Sequence, residues 1–446
     1  MFNSYSTYVK IKPTDHRFFD FILLFGLFML VLPAVSSSQE DQGLLTLEQS
    51  VRRVAEIAPE MKAADAEVGK QKGKWEQADA WPNPSVSIQV DDNLSREVGG
   101  RGYDVTELAI SQPIPLGRLA YQRQQAEAGL TSAEAQRKHQ QLMLEYKVAQ
   151  HFHILQLKEA MLQLAKKRLQ QASHYQSGDR KHHRGDPLVR YLTPLETMRL
   201  DIVLQAAKQS VEVAEGEFND VITSFKALLG APIDGQLRLM PLKPVPTPEG
   251  FDALESNLQN HPGLEADKQT VASLEAGIDV AKWQRFADPT VTIFRRNAFL
   301  ANQRQPNMGI MLSVQVPFWN QNNGGVTQAR HAVYQAQAAL EINQRDLQSN
   351  LYRSYLHLGH LVEQAEHYRT RLLQPAQQVF KLTRKGFDAG ELNILTLIDA
   401  NNTYFDAQAR YLTLLQEGWL ELAAVRISAG LSLLSNNPET DFGVVK

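Results

Sequence analysis

Two short stretches of the chain alternate apolar and polar residues in nearly the same way. Both "NPSVSI" at Asn83–Ile88 and "DPTVTI" at Asp288–Ile293 place an Asx-Pro pair before alternating hydroxyl and branched apolar side chains. Such a period of two is typical of a β-strand. A polar turn and a second alternating stretch follow each copy. The sequence therefore predicts one β-hairpin in each half, with strands at about residues 84–92, 103–114, 289–296 and 308–317.

The likeness between the two stretches extends to their surroundings. A helix-forming segment with an early proline precedes each copy, and a proline ends each returning strand. The matched pairs are Pro59 with Pro262, Pro84 with Pro289, and Pro115 with Pro317, at separations of 203, 205 and 202 residues. A nearly constant separation between ordered landmarks indicates an internal duplication.

A long helical pattern follows each hairpin. Residues 117–176 contain no proline, and apolar residues recur every seven positions at Val148, Leu155, Leu162 and Leu169. In residues 326–387 the recurrence is Leu351, Leu358, Ala365, Leu372 and Val379. A sustained seven-residue repeat of apolar positions predicts helices that pack side by side as coiled coils, each roughly 90 Å long. Pro375 predicts a kink in the second of them.

Each long helix is expected to turn and to return as a second helix. This gives coiled-coil hairpins at about residues 117–230 and 325–431. The predicted organisation is a first repeat at 38–240, a proline-rich linker at 241–250, a second repeat at 251–434 and a tail at 435–446.

The N-terminus contains the one strongly hydrophobic run of the sequence. Phe21–Val35 follows a segment with three basic residues and precedes small residues suited to signal peptidase. About 15 apolar residues suit a signal-peptide core better than a membrane helix. Residues 1–37 are therefore predicted to be a signal peptide, with a membrane anchor as the alternative. Any membrane crossing by the remaining chain would have to use its strands.

Composition narrows the classes of function. The chain has 46 Lys and Arg against 49 Asp and Glu, so it lacks the basic excess of a nucleic-acid-binding protein. It has no cysteine, which excludes disulfides, thiol catalysis and a lipid anchor on an N-terminal cysteine. No nucleophile–base motif or phosphate loop is present, so neither an enzyme nor a cofactor is predicted. The closely spaced histidines, such as His357 and His360, are not predicted to be metal ligands.

Four strands cannot close a barrel in a membrane, because about eight is the minimum. Several chains would have to pool their strands. The duplication, the Asx-Pro strand starts and the strand exits "PLG" and "PFWN" resemble the TolC-like outer-membrane efflux factors of Gram-negative bacteria. The resemblance covers residues 45–434. It implies a mainly α-helical protein with a membrane β-barrel, in which a trimer forms a 12-strand barrel and an α-helical tunnel.

The resemblance also implies a function. Such proteins are passive conduits in the outer membrane, with their helical part in the periplasm. They work with a periplasmic adaptor and an inner-membrane RND pump, and their strands contact outer-membrane lipid. "TPLE" at Thr193–Glu196 is most similar to the heavy-metal branch, which serves cobalt-zinc-cadmium or copper-silver pumps. The alternatives are a duct for organic solutes or secreted proteins and, in another class, an exported coiled-coil or adhesin-type protein.

In that family the turn between the long and the returning helix forms the periplasmic tip. "FDAGELNILTLIDA" at Phe387–Ala400 matches the family's turn, with Thr396 in place of its first Asp. A basic insertion at residues 178–192 lengthens the turn of the first half. The resemblance implies that the gate lies here, and the candidate gate residues are Gly185, Pro194, Glu196, Arg199, Phe387, Gly390, Thr396 and Asp399.

Overall fold

The computed structural model describes residues 44–91, 105–181, 193–232, 237–300 and 303–434. The first half contains, in chain order, α1 (Leu47–Ile57), α2 (Pro59–Ala78), β1 (Ser85–Asp91), β2 (Val105–Pro113), α3 (Arg118–Lys181) and α4 (Pro194–Leu228). The second half contains α5 (Phe251–Leu258), α6 (Pro262–Trp283), β3 (Thr290–Leu300), β4 (Gln303–Ser313), α7 (Asn323–Tyr368), α8 (Gln374–Asp388) and α9 (Ile394–Ser428). A π-helical turn, Arg369–Leu373, separates α7 from α8. The order of elements repeats, as the sequence predicts.

The duplication is also visible in the backbone. Gly117 and Asn322 adopt left-handed conformations, with φ of +78° and +56°, directly before the long helices α3 and α7. Gly230 and Gly430 do the same at the ends of α4 and α9. Glycine meets no Cβ penalty in this region, and asparagine tolerates it better than most residues. The predicted internal repeat is therefore confirmed by equivalent chain reversals at equivalent places.

The two hairpins join into one four-stranded antiparallel sheet in the order β1-β2-β3-β4. Its register aligns Val86 with Ile110, Ile293 and Ile310 on one face, and Ser85 with Ser111, Thr292 and Met311 on the other. The first face is strongly exposed, with large apolar side chains at Val86, Ile88, Val90, Leu108, Ile110, Ile293, Met308, Ile310 and Leu312. On the second face, the Ser111 and Thr292 hydroxyls are 2.8 Å apart and Arg296 pairs with Glu107. The sheet thus has an uncovered apolar face and a polar face.

The last strand lies earlier in the chain than expected. The alternation predicts a strand at 308–317, whereas β4 spans Gln303–Ser313 and includes Pro306. Proline lacks the N–H of a ladder bond, but β4 is an edge strand, where one side of the backbone needs no partner from this sheet. Val314 and Val316 continue the exposed apolar stripe beyond the end of the strand.

The 64-residue helix α3 is the element against which most other helices pack. It contacts α1, α2 and α4 of its own half and α6 and α9 of the other half. Val148, Leu155 and Leu162 of the predicted repeat are buried along it. None of the helices within the described ranges has the length and apolarity needed to cross a lipid bilayer.

The predicted seven-residue repeat of buried apolar positions in the second half ends at the π-helical turn. Leu351, Leu358 and Ala365 are buried, but Leu372 and Val379 are more than half exposed. The buried positions beyond the turn are instead Phe380 and Thr383. The i→i+5 bonding of a π turn accommodates one extra residue, so the buried stripe moves on by one position. This turn ends two residues before Pro375, where the sequence predicts a kink.

A buried carboxylate holds the last described residues against α3. Glu145 is 1% exposed, and its Oε2 accepts bonds from the Ser432 hydroxyl and the Leu433 N–H, both at 2.7 Å. Its Oε1 accepts a third bond from Gln141 at 3.0 Å. Charge-assisted bonds of this kind compensate for removing a carboxylate from water.

The linker between the halves is fixed by side chains from both. Gln156 of α3 donates to the Met240 carbonyl at 2.6 Å, and Trp419 of α9 donates to the Lys243 carbonyl at 2.8 Å. Buried His153 joins the two, because its ring stacks on Trp419 and its Nδ1 donates to Gln156 Oε1 at 2.8 Å. His153 is therefore a structural residue of this joint.

A second buried histidine begins α6. His261 is fully buried, and its Nδ1 accepts the Gly263 N–H at 3.1 Å, so the ring serves as a helix cap. Burial lowers the pKa of His261 to about 4, with a further contribution from the neighbouring His139. Burial likewise lowers the pKa of His153 to about 4. Both imidazoles are therefore neutral in the folded protein at pH 7.

These two groups predict acid sensitivity of the helical part. A histidine in the unfolded chain has a pKa of about 6.5. Between pH 6.5 and 4 the unfolded chain therefore binds protons that the folded chain does not bind. Stability is thus complete above pH 6.5 and falls as the pH is lowered towards 4. In His261→Asn, which can cap α6 but does not titrate, the loss of unfolding free energy between pH 6.5 and 4 should shrink by on the order of 3 kcal/mol. Thermal unfolding of the purified protein at several pH values measures this difference. Parallel pH profiles for the two proteins would contradict it.

Candidate functional site

Residues from the tip-ward ends of both helical hairpins meet in one apolar cluster. Its buried members are Leu200 of α4, Phe380 of α8, and Ile394 and Leu397 of α9. Four partly buried side chains surround them: Tyr175, Phe387, Ile398 and Tyr404. The Phe380 and Tyr404 rings stack in parallel, with centroids 5.5 Å apart. This tip cluster joins the first helical hairpin to the second, and it includes the predicted gate residue Phe387.

The turn of the second hairpin ends α8 by a glycine-dependent reversal. The Gly390 N–H bonds to the Phe387 carbonyl at 2.9 Å, and the Glu391 N–H bonds to the Gly386 carbonyl at 2.8 Å. This pair of bonds is a Schellman motif, which needs a left-handed residue after the helix. Gly390 supplies it with φ of +79°. The predicted role of Gly390 as the stop of the helix therefore has a structural basis.

Each returning helix begins with a side-chain cap at an equivalent position. In α4 the Thr193 hydroxyl accepts the Glu196 N–H while the Glu196 carboxylate accepts the Thr193 N–H at 2.8 Å, which is a capping box. In α9 Asn393 Oδ1 accepts both the N–H and the hydroxyl of Thr396 at 2.9 Å. Glu196 and Thr396 thus hold equivalent positions and both fix the start of a returning helix.

This geometry corrects the predicted place of Asp399. The sequence suggests that Asp399 lies in the first turn of the returning helix, where a carboxylate is stabilised by the helix N-terminus. Because α9 begins at Ile394, Asp399 lies in its second turn, and the first turn contains no acidic residue. The carboxylate that does lie in a first turn is that of Glu196. The favourable interaction with the helix dipole therefore applies to Glu196.

Charged side chains surround the tip cluster. Asp399 is exposed, and no described residue forms an ion pair with it or hydrogen-bonds to its carboxylate. Exposed Arg384 and Lys385 of α8 and partly buried Arg199 of α4 likewise form no ion pair within the described residues.

A tyrosine that the sequence patterns did not single out lies between the hairpins. The Tyr175 hydroxyl is buried and hydrogen-bonds to none of the described groups. Burial raises the pKa of its phenol, while Arg384 acts to lower it and Asp388 to raise it. Tyr175 thus brings α3 of the first hairpin next to the charged end of α8. Its position follows from the packing of α3 on α9, which no local sequence signal shows.

Of the other predicted gate residues, Pro194 occupies the first position of α4 and is exposed. Proline suits this position because its missing N–H has no partner there in any helix. Gly185 and most of the basic insertion lie outside the described residues. The caps Thr193 and Asn393 were not among the predicted sites, although the pattern Thr-x-x-Glu is a signal for a capping box.

The part of the chain that the structure describes holds no group of three or more His, Asp or Glu side chains arranged to bind a metal ion. His357 instead lies 3.3 Å from Glu421, and His151 Nδ1 lies 2.8 Å from the Lys147 carbonyl. These histidines therefore have local partners of their own.

Comparison with known proteins assigns the fold to a family. A sequence model described as "Outer membrane efflux protein" matches residues 51–185 and 253–430, which together make up most of the chain. The chain belongs to the outer membrane efflux protein family. The resemblance to TolC-like efflux factors is thus confirmed, and the alternative of a coiled-coil adhesin is rejected.

Individual relatives agree with this membership. The cobalt-zinc-cadmium resistance protein CzcC of Cupriavidus metallidurans is 24% identical over 391 residues, which cover 84% of this chain and 88% of that protein. Among solved structures, CusC superposes with a TM-score of 0.69 at 17% identity and covers 86% of this chain and 92% of its own. VceC of Vibrio cholerae superposes with a TM-score of 0.68 at 13% identity, covering 86% and 96%. At identities this low, the two superpositions establish the fold alone.

The family is made up of outer-membrane channel components of efflux systems. The protein is accordingly an outer-membrane channel component of an efflux system. The two matched segments each contain one hairpin and one long helix that leads to the tip cluster.

Proposed function

We propose that three copies of this chain form the outer-membrane exit duct of an RND-type efflux system for heavy-metal cations. In this proposal a periplasmic adaptor and an inner-membrane pump deliver the cations to the helical tip. The cations then pass through a tunnel of helices and a 12-strand barrel to the exterior. The first 37 residues serve as the signal peptide for export.

The four-stranded sheet carries the proposal of a shared barrel. β1 and β4 are the outer strands of a sheet whose exposed face is apolar. Unpaired strand edges are not tolerated in a hydrocarbon layer, because no water is present to bond their N–H and C=O groups. Pairing β4 of one chain with β1 of the next satisfies both edges, and three chains supply 12 strands.

Exposed apolar side chains on the helices support an assembly of several chains. Leu195, Met198 and Ile202 of α4 are each more than half exposed, as are Val379 and Leu382 of α8. Apolar stripes of this kind on a helix surface mark interaction sites. Trp81 before β1 and Trp319 after β4 are also strongly exposed, at the same end of the sheet, which suits side chains at a membrane–water boundary.

A pair of substitutions on one strand tests the membrane face. Ile310 and Met311 are neighbours on β4, with Ile310 on the apolar face and Met311 on the polar face. Ile310→Arg should disfavour the membrane-inserted protein by about 2–4 kcal/mol, because it places a charge in lipid. Met311→Arg should be tolerated, because it faces the lumen. The amount of trimer in outer-membrane fractions, measured by gel mobility and native mass, distinguishes the two. Equal loss or equal tolerance would argue against this orientation of the sheet.

The gate is proposed to lie at the tip cluster, with Asp399 and Glu196 as carboxylates that bind cations of a neighbouring chain. Arg199, Arg384 and Lys385 are the candidate partners. Several weak exposed pairs would hold the tip closed, since each contributes only about 0.2–1 kcal/mol. Small shifts of the helices at their contacts would then open it.

The capping box dictates how this gate must be tested. Glu196→Ala would remove the carboxylate half of the capping box in addition to a charge. Glu196→Gln keeps an acceptor for the Thr193 N–H and removes only the charge. The variant Asp399→Ala with Glu196→Gln should therefore fold and assemble normally and should raise single-channel conductance in planar bilayers. Unchanged conductance would show that neither carboxylate holds the tip closed.

The cargo is proposed from relatedness to CzcC, whose name describes cobalt, zinc and cadmium resistance. Deletion of the gene should lower tolerance to these three cations and leave tolerance to antibiotics unchanged. Growth on graded concentrations of zinc, cobalt, cadmium, copper and several antibiotics measures this. Complementation with the wild-type gene is the control. Sensitivity to antibiotics alone would replace the metal assignment with the alternative of a duct for organic solutes.

A further inference from the structure

We propose that the segment after α9, residues 437–446, binds in a groove on α7 of its own chain. The groove has a volume of about 610 Å³ and is mainly apolar. It is lined on one side by Thr247 and Pro248 and on the other by residues of α7 that include Tyr355, Leu356, Gly359 and Val362. The segment itself lies outside the described residues. The inference depends neither on the proposed cargo nor on the proposed gate.

The internal duplication gives this segment a described counterpart. The returning helices α4 and α9 are both 35 residues long and begin 200 residues apart, at Pro194 and Ile394. Both end in the same way, because the N–H groups of Leu229–Ala231 and of Ala429–Leu431 bond to carbonyls four, three and five residues earlier. Residues 437–446 therefore correspond to residues 237–246, which connect the two halves of the chain.

This connecting segment, residues 237–246, packs between α3 and the residues before α1. Leu239 forms a parallel bridge with Leu45. Its side chain is buried in one cluster with Phe152 of α3. One turn further along α3, Gln156 donates to the Met240 carbonyl at 2.6 Å. The first half thus binds the chain that follows its returning helix through both a backbone bridge and an apolar contact.

The groove occupies the equivalent place in the second half. Thr247 and Pro248 stand just before α5, as Leu45 stands just before α1. In the first half the connecting segment lies beside Leu45, whereas in the second half the space beside Thr247 and Pro248 is the groove. The described part of the second half therefore has the walls of this binding place.

The buried repeats of the long helices show which groove residues correspond to α3. Two buried residues of each long helix pack against the end of the returning helix, Val148 and Leu155 in α3 and Leu351 and Leu358 in α7. Both pairs are separated by 203 residues. At this separation Tyr355 corresponds to Phe152, and Gly359 corresponds to Gln156. The two residues of α3 that the connecting segment contacts thus have counterparts in the lining of the groove.

The differences between the halves indicate which side chain enters the groove. A Cβ at Gly359 would meet nothing within 4 Å, so the space that Gln156 fills in the first half is open in the second. Leu356 beside it is 45% exposed. Phe442 is the only aromatic residue of the segment, and it follows the counterpart of Met240 by two positions. Phe442 is therefore the side chain that fills the apolar part of the groove.

The distance to be covered is short. Phe442 lies eight residues after Leu434, which is the last described residue, and eight extended residues span up to about 28 Å. The end of α9 is buried against Leu351 and Leu358, which lie next to the groove along α7. The segment can therefore reach the groove of its own chain.

Cysteine cross-linking of the full-length protein tests this placement, because the chain has no cysteine of its own. Gly359→Cys with Gly443→Cys should form a disulfide within one chain under mild oxidation, measured by denaturing gel mobility and by the mass of linked peptides. Ile342→Cys with Gly443→Cys is the matched control, since Ile342 is also exposed on α7 but does not line the groove. Its yield should be about tenfold lower, because a disulfide requires close Cα atoms. Equal yields would overturn the proposal, and a disulfide between chains would assign the groove to a second copy instead.

Substitutions of Phe442 test the anchor separately. If the backbone bridge of Leu45 has a counterpart, the Glu249 amide is protected from hydrogen exchange by the bound segment. Phe442→Asp should make this amide exchange about tenfold faster, whereas Phe442→Leu, which introduces the residue found at Leu242, should leave it protected. Unchanged exchange in Phe442→Asp would overturn the binding of this side chain. Neither measurement reads conductance or metal tolerance, so failure of the proposed function would leave this result standing.

Discussion

Apolar packing along α3 is the interaction on which the rest of the molecule depends. This one helix contacts α4 of its own hairpin, α2 beside the sheet, and α6 and α9 of the second half. Val148, Phe152 and Leu155 are buried in one cluster with residues of α1, α2 and α4, and Leu142 and Ala149 are buried against Ala423 and Ile427 of α9. The two copies of the repeat are therefore parts of one core, and the sheet at one end of α3 is connected to the tip cluster at the other through continuous helical contacts.

The duplicated halves have kept the same chain reversals and diverged in what surrounds them. Ala58 stands before Pro59 in the first half, and the buried cap His261 stands before Pro262 in the second. Gly117 precedes α3 where Asn322 precedes α7. Thr193 and Asn393 cap the returning helices with different partners. The two halves thus share the same backbone conformations at these positions but stabilise them with different side chains.

The sequence was sufficient for the plan of the fold because its signals are local. Each of these signals indicates the backbone conformation of the residues around it. They are the apolar–polar alternation around Val86 and Ile293, the seven-residue repeat of apolar residues along Val148 and Leu155, and the glycines after helices. The elements that it mispredicted depend on more distant partners or on a change of register. Leu372 and Val379 continue the sevens in the sequence but not in the structure, because the π turn rotates the helix between them and Ala365.

The candidate site shows the same division. Gly390 is recognisable as a helix stop because a left-handed helix end favours glycine, while its place in a gate stays a prediction. Tyr175 was missed because its role arises from α3 meeting α8 and α9 at a distance of some two hundred residues along the chain. Glu196 was noticed for its charge, whereas its observed bonds are those of a helix cap. Residue type and spacing therefore indicate where the tip lies, but they do not show which interactions its residues make.

The bonds of Glu145 connect the middle of α3 with residues near the end of the described chain. Its buried carboxylate accepts from Ser432 and Leu433, which lie 287 and 288 residues later in the chain. A chain cut before Ser432 lacks two of the three donors, and a buried carboxylate left without them is strongly unfavourable. The packing of the middle of α3 therefore depends on residues near the end of the described chain, and both copies of the repeat must be present before it is complete.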